Sequence, residues 1–120
     1  MGRPTPRDEM PLQPQATFEP FDKWGMDFIG PIDPTSGKKS YIIVSADYLT
    51  KWAETRVVKV ETKEKVVDFL RGNVFYKFGY PREVVTGQGV QFTSHLIENI
   101  LRRHKIKHNN STGYHPQANG

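Results

Sequence analysis

The sequence has 120 residues, of which 36% are hydrophobic, 12% aromatic and 25% charged; this predicts one folded domain and excludes a chain that is disordered throughout. It contains no cysteine, which excludes disulfides, thiol nucleophiles and zinc sites with cysteine ligands. Seventeen lysines and arginines against thirteen acidic residues give a net charge of +4. That charge favours an anionic partner such as nucleic acid, although a basic surface without a partner fits it equally well.

The hydropathy pattern gives no sign of a membrane segment. The longest purely apolar stretch, at 41–44, has four residues, whereas a helix that crosses a bilayer needs about 20. No charged start followed by an apolar run indicates a secretory signal near Met1. We therefore expect an intracellular protein, nuclear or cytoplasmic, with no membrane partner.

The first half of the chain is predicted to be an arm followed by three strands. Residues 1–20 hold five of the nine prolines, and because proline lacks a backbone donor and fixes its own φ, this segment is typical of an extended arm or linker. Short apolar runs bounded by turn residues predict strands at 24–32, ended by the turn at Gly30 and Pro31, at 39–47 and at 53–60. Their short connections favour an antiparallel meander.

The second half alternates between helix and strand. Apolar residues recur every four positions over 62–78 and predict a helix, with Thr62 as its N-cap and Gly79 as its left-handed C-terminal residue. The predicted order is β-β-β-α-β-α-β, an α/β fold with a mixed sheet whose last strands are joined by helical crossovers. The later elements are a strand at Glu83–Thr86, a glycine-containing loop, a helix at 94–104 that buries Leu96, Ile97, Ile100 and Leu101, a strand at 106–110 and a loop at 113–120.

Asp27 is the residue whose type conflicts most with its position. It lies inside an apolar strand, where an unpaired buried carboxylate is costly. Alternation along the strand places it on the same face as Gly25 and Ile29, opposite Met26 and Phe28. It is either an edge-strand carboxylate that faces water, a carboxylate satisfied by backbone donors, or a functional group.

Four segments carry a specific resemblance: 24–31 (WGMDFIGP), 47–52 (DYLTKW), 80–94 (YPREVVTGQGVQFTS) and 111–120 (STGYHPQANG). In chain order they resemble the first catalytic strand, the turn after the second strand, the second catalytic segment, and the segment that leads to the third catalytic residue of Gypsy-type LTR retrotransposon integrases. Together with the elements between them they cover nearly all of 21–120, which we identify as a partial integrase catalytic core with the RNase H-like fold.

The resemblance implies an activity and a metal site. That family joins element DNA to host DNA, and two Asp and one Glu hold a pair of Mg²⁺ ions that activate the attacking oxygen and stabilise the leaving one. Asp27 matches the first acid. The family's Thr-Asp-Gln-Gly motif reads Thr86-Gly87-Gln88-Gly89 here, so Gly87 occupies the position of the second acid and offers no ligand. The third acid is expected on the helix after Gly120, beyond the last residue, which makes the core incomplete at its C-terminus.

One carboxylate of three therefore remains, and we expect weak or absent Mg²⁺ binding at Asp27 and no catalysis. Asp47 and Glu83 are the nearest acidic residues by sequence, but neither matches a catalytic position. One base change converts an Asp codon into a Gly codon, which is typical of a decaying element copy. Two alternatives stay open: a non-enzymatic, host-retained fragment that forms a homodimer or pairs with intact integrases, and a relic without function.

The DNA-binding candidates are basic. Arg102, Arg103, Lys105 and Lys107 form the densest basic run, which fits either cations at a helix C-terminus or phosphate contacts that give weak, nonspecific DNA binding. His115 lies in a loop motif of the family, where a structural or DNA-facing role is favoured over catalysis. His104 and His108 are four residues apart, but the helix is predicted to end between them, which disfavours a shared metal site.

Overall fold

The computed structural model describes residues 17–33, 37 and 39–111. Most of the predicted arm, and the loop predicted at 113–120 with His115, lie outside these residues. Within them the predicted element order is confirmed, with one additional short helix. The strands are β1 (Lys23–Ile32), β2 (Ser40–Asp47), β3 (Ala53–Val58), β4 (Glu83–Thr86) and β5 (Lys107–Asn109), and the helices are α1 (consecutive segments Lys63–Phe69, Leu70–Phe75 and Tyr76–Phe78), α2 (Val90–Thr93) and α3 (His95–Arg103).

The five strands form one mixed sheet in the order β3-β2-β1-β4-β5. The predicted meander is confirmed, since β1 pairs antiparallel with β2 and β2 with β3. Strand β4 runs parallel to β1, and β5 runs parallel to β4. Strand β1 continues through the predicted turn, with a register shift between Ile29 and Ile32. Gly30 is required there, because its φ is 131° and a Cβ would lie 3.0 Å from the Ser40 carbonyl oxygen.

Helix α1 begins as predicted but is not regular throughout. The Thr62 side chain accepts a hydrogen bond from the Lys65 amide at 3.3 Å, which confirms the N-cap. The middle segment, Leu70–Phe75, is π-helical, which the four-residue period does not indicate. Gly79 has the predicted positive φ of 88°, but its ψ of −177° is extended, so the left-handed helical conformation predicted for it is wrong.

The core lies between the helices and one face of the sheet. Alternate residues of β1 and β2, including Trp24, Met26 and Ile43, are fully buried there. Helix α3 contributes Ile97, Ile100 and Leu101, but Leu96 is 40% exposed, so its predicted burial is wrong. The three buried residues follow the i, i+3, i+4 spacing of one helical stripe, and Leu96 lies a quarter-turn away from it.

Helix α2 lies where the sequence predicts a glycine-containing loop. It has only four residues and begins after Gly89, so its sequence shows no helical period. Its Phe92 is buried, and the ring packs 5.6 Å from the Phe28 ring, centroid to centroid. The short helix therefore anchors the loop after Gly87 against β1.

Candidate functional site

Asp27 and Gly87 are brought together at the carboxyl end of β4. In the parallel register of β1 and β4, Met26 lies opposite Thr86, and Asp27 and Gly87 are the residues that follow them. The two residues therefore lie at neighbouring ends of two parallel strands, with Gly87 one residue beyond the end of β4.

The surroundings of Asp27 decide between the three interpretations of this residue. Strand β1 is the central strand of the five, so the edge-strand interpretation is wrong. The carboxylate is partly exposed, and its Oδ1 accepts a hydrogen bond from the Phe28 amide at 2.8 Å. The backbone therefore supplies one hydrogen bond to this carboxylate, and the partial exposure of Asp27 leaves the carboxylate accessible to a ligand.

Gly87 is not required by the backbone. A Cβ built at this position meets no atom within 4 Å, and its φ lies outside the left-handed range. Any L-residue can therefore occupy position 87 without a clash at Cβ. Glycine supplies no side-chain ligand atom at this position, and the backbone there does not require it.

Two other carboxylates, Asp47 and Glu83, lie away from Asp27 and Gly87. Asp47 is buried, and its two oxygens accept hydrogen bonds from the amides of Phe21 and Thr50 at 2.9 and 2.8 Å. Glu83 begins β4, at the end of the strand far from Gly87. Among the residues that the structure describes, no group of three or more His, Cys, Asp or Glu side chains is arranged to hold a metal ion. This donor set does not fit a pair of Mg²⁺ ions, which needs a cluster of oxygen ligands.

Glu54 is a third buried carboxylate, and it serves the fold. It accepts hydrogen bonds from Trp52 Nε1 at 2.7 Å, Lys77 Nζ at 2.9 Å and Asn73 Nδ2 at 3.1 Å. Burial by itself raises the pKa of this carboxyl, but the three hydrogen bonds and the charge of Lys77 outweigh burial and lower the pKa. Because Thr55 is the residue in register with Val44 and Asp27, alternation puts Glu54 on the opposite face of the sheet from Asp27.

A second polar group lies beside Gly87, and sequence reasoning did not find it. The Thr86 hydroxyl donates to the Gly87 carbonyl oxygen at 2.8 Å and lies 2.8 Å from His108 Nε2. Nδ1 of His108 lies 2.8 Å from Glu98 Oε2. His104 has other neighbours and stacks on the Tyr80 ring at 4.0 Å. The spacing of ten residues between Glu98 and His108 follows no local period, so only the fold reveals the contact.

The basic run lies at the other end of the sheet from Asp27. Arg102 and Arg103 occupy the last turn of α3, and all four residues of the run are exposed. Lys107 pairs in register with Glu83, the first residue of β4, whereas Gly87 follows its last. Four residues of strand separate these ends, about 13 Å. The structure therefore does not bring the basic run to the Asp27 site, and the position of the two arginines fits the helix C-terminus interpretation.

The sheet is mixed, and its central strand carries an aspartate, Asp27, next to position 87. This strand order and this placement define an α/β core of the RNase H-like class. The sequence profile described as "Integrase core domain" matches residues 18–116, and the chain belongs to the integrase core domain family.

An uncharacterized protein of Caenorhabditis elegans is 32% identical over 112 residues, 92% of this chain and 8% of that protein. The Pro-Pol polyproteins of simian foamy virus type 3 and feline foamy virus are 30% and 31% identical over 91% and 96% of this chain. The chain spans 8–10% of the length of these curated relatives.

Solved structures confirm the RNase H-like fold. The catalytic core domain of BIV integrase aligns with a TM-score of 0.68 at 23% identity, covering 83% of this chain and 60% of that one. The HTLV-2 integrase catalytic core domain in complex with magnesium aligns with a TM-score of 0.66 at 23% identity, over 76% of this chain and 60% of that one. At such identities the likeness shows the fold alone. Within the described ranges, none of the helices has the length and apolar character to cross a membrane.

Proposed function

We propose that this chain is a Gypsy-type retrotransposon integrase core whose ancestral function is DNA integration by strand transfer, and that it no longer catalyses this reaction. The observation that supports the proposal best is that Asp27 and Gly87 both lie one residue past the last β1–β4 pair, Met26 and Thr86. Two-metal phosphoryl transfer needs ions held by several carboxylates on both sides of the reacting phosphate. With glycine at position 87 the neighbouring strand supplies none, so Mg²⁺ binding is expected to be weak or absent.

The Gypsy-type assignment is supported by the four ordered motifs, and above all by the segments at 80–94 and 111–120. The division into an arm at 1–20 and a core at 21–120 is supported by the family match, which begins at residue 18. The open space around Gly87 supports loss of an acid by substitution, since nothing in the packing there selects glycine.

A strand-transfer assay tests the loss of activity. The 120-residue chain is incubated with labelled duplex DNA and Mg²⁺ or Mn²⁺, beside an active retroviral integrase as the positive control. The expected result is no joined product, both for the unmodified chain and for its Asp27→Asn variant. Metal-dependent joining that Asp27→Asn abolishes would show that the core is an active enzyme.

DNA remains a partner in this proposal. The exposed basic run 102–107 is suited to contacts with phosphates, which add affinity without sequence specificity. Because the run lies about a strand length from Asp27, such binding does not depend on a metal at the site. His115 stays a candidate DNA-facing residue on the strength of the family motif alone.

A second candidate function is non-enzymatic: the fragment forms a homodimer or pairs with an intact integrase. The face of the sheet that carries Asp27 also carries Ile29 and Val57, and Val57 is 66% exposed. Exposed apolar residues that share a face are typical of interaction surfaces. Sedimentation of the chain, alone and mixed with a full-length integrase, tests this candidate. Val57→Glu is expected to abolish association, whereas Val90→Glu, on the opposite side of the sheet, is the control.

A further inference from the structure

Three side chains from different elements meet beside residue 87, and we call this group the Thr86 relay. Thr86 is the last residue of β4, His108 belongs to β5 and Glu98 to α3. Thr86 is 1% exposed and the His108 side chain 4%, so these two members are almost wholly shielded from water. The links of the relay are all 2.8 Å long: Glu98 Oε2 to His108 Nδ1, His108 Nε2 to Thr86 Oγ1, and the Thr86 hydroxyl to the Gly87 carbonyl oxygen.

The protons of the relay give it a direction. A carboxylate only accepts, so the nitrogen that faces Glu98 is the donor. A threonine hydroxyl has a single proton, and when that proton goes to the Gly87 carbonyl, Nε2 of His108 must donate to Thr86 Oγ1. The relay then ends on the backbone of residue 87, and removal of one member leaves a buried polar atom without its partner.

The sheet itself does not hold residue 87. The register between β4 and β5 ends at Val85 and Asn109, and that between β1 and β4 ends at Met26 and Thr86. Gly87 lies beyond both ladders, and among the residues that the structure describes the loop that follows is anchored further on, where Phe92 packs against Phe28. The Thr86 hydroxyl is the contact that ties the carbonyl of residue 87 to the folded core.

We propose that Thr86, His108 and Glu98 are positioning residues that hold the backbone of residue 87 beside Asp27. None of the three touches a metal or DNA in this proposal; they act through the Gly87 carbonyl. The proposal rests on the proposed function, since residue 87 is taken as the position of the second acid. It also accounts for a buried histidine with two polar partners that no other part of the proposed function uses.

The first test measures ¹⁵N relaxation of the unmodified chain and needs no metal. The order parameter at Gly87 is expected near 0.85 in the unmodified chain and in Thr86→Ser, and is expected to fall to about 0.6 in Thr86→Val, which removes the hydroxyl and keeps the shape. Asn109→Ala is the matched control, because Asn109 links the same two strands through Glu83 at 3.4 Å without touching the relay. An unchanged value in Thr86→Val, or an equal fall in Asn109→Ala, overturns the proposal.

The second test measures Mn²⁺ affinity in a Gly87→Asp background by calorimetry. Adding Thr86→Val is expected to weaken the affinity about tenfold, the effect of losing roughly one hydrogen bond, while Thr86→Ser restores it. Because Thr86→Val also leaves a buried nitrogen of His108 without its partner, it is expected to melt at a lower temperature than Thr86→Ser, and both affinities are measured well below the two melting temperatures. Equal Mn²⁺ affinities in Thr86→Val and Thr86→Ser overturn the relay. If Gly87→Asp alone binds no more tightly than the unmodified chain, the proposed second-acid position is wrong, and the relaxation measurement still decides the relay.

Discussion

Asp27 and Gly87 occupy neighbouring positions one step past the Met26–Thr86 pair, where the parallel ladder of β1 and β4 ends. Neighbouring strands lie about 4.8 Å apart, a spacing at which we expect two carboxylates, one on each chain segment, to be able to bind the same cation. The central strand supplies the first of them. Strand β4 brings the backbone of Gly87 to the same point, but Gly87 supplies no side chain.

Gly87→Asp is expected to create measurable binding of Mg²⁺ and Mn²⁺. Carboxylate oxygens are the ligands these ions prefer, and the added Cβ meets no atom within 4 Å. Isothermal titration calorimetry compares Gly87→Asp with Gly87→Ala, which adds the Cβ but no ligand. Adding Asp27→Asn to Gly87→Asp is expected to remove the gain. Equal affinities in Gly87→Asp and Gly87→Ala would mean that the two positions do not share an ion.

Gly87→Ala is expected to stabilise the fold by about 0.4–1 kcal/mol, because alanine restricts the unfolded chain and meets no strain in the folded one. Gly79→Ala is the matched control: its Cβ also meets nothing within 4 Å, but its φ is 88° and its ψ −177°. That conformation is costly for any residue with a Cβ, by about 1–3 kcal/mol. Urea unfolding measures both. A destabilised Gly87→Ala variant would show that glycine is needed at position 87 for the fold.

The features predicted correctly from the sequence are those that a local hydrophobic period or a motif indicates. It places the β4 strand correctly at Glu83–Thr86, and its motifs put Asp27 next to position 87. Features that depend on contacts between distant residues are not predictable in this way. The π-helical segment of α1, the burial of Phe92 on a four-residue helix, and the pairing of Glu98 with His108 have no period that a local pattern could show.

The correspondence of Gly87 to the family's second acid can be inferred only from the family resemblance. A glycine after a buried strand is ordinary in a loop, and nothing in its neighbours' spacing marks it as the site of an acid. The structure adds the physical part: the position has room for a Cβ and no positive φ. Such geometry shows whether the backbone requires a glycine, and the sequence contains none of it.

Glu54→Gln is expected to lower stability at pH 7 by about 1–3 kcal/mol, because it removes the charged partner of Lys77 from a buried hydrogen-bonded group. The folded-state pKa of Glu54 is lowered from its ordinary value of 4.5. Its contribution is therefore complete above that value and is lost as the pH falls through the folded pKa. The difference between Glu54→Gln and the unmodified chain should shrink below pH 4.5.

Urea unfolding at several pH values between about 3 and 7 measures this difference, a range chosen to bracket the ordinary pKa of a glutamate. Glu61→Gln, at an exposed position, is the control for the loss of one negative charge and is expected to change stability little. A Glu54→Gln effect that stays constant across the range would assign the stabilisation to the neutral hydrogen bonds from Trp52 and Asn73 rather than to the carboxylate charge.

Removal of the basic run is expected to weaken DNA binding. The unmodified chain should bind duplex DNA no more tightly than about 1 µM, with affinity that falls steeply as salt rises, because released counterions supply the free energy. The double variant Arg102→Ala/Lys105→Ala should lower the slope of log K against log salt by about 0.9 for each phosphate that the chain no longer neutralises. Fluorescence anisotropy at several salt concentrations measures both quantities.

The control for net charge is Lys59→Ala/Lys63→Ala, which also removes two exposed cations but at a distance from the run along the chain. If DNA contacts the run, the Arg102→Ala/Lys105→Ala variant binds DNA more weakly than this control and has the smaller salt slope. Equal affinities in the two variants would mean that only the overall charge attracts DNA. In that case Arg102 and Arg103 serve the C-terminus of α3, where cations are favoured by the helix dipole.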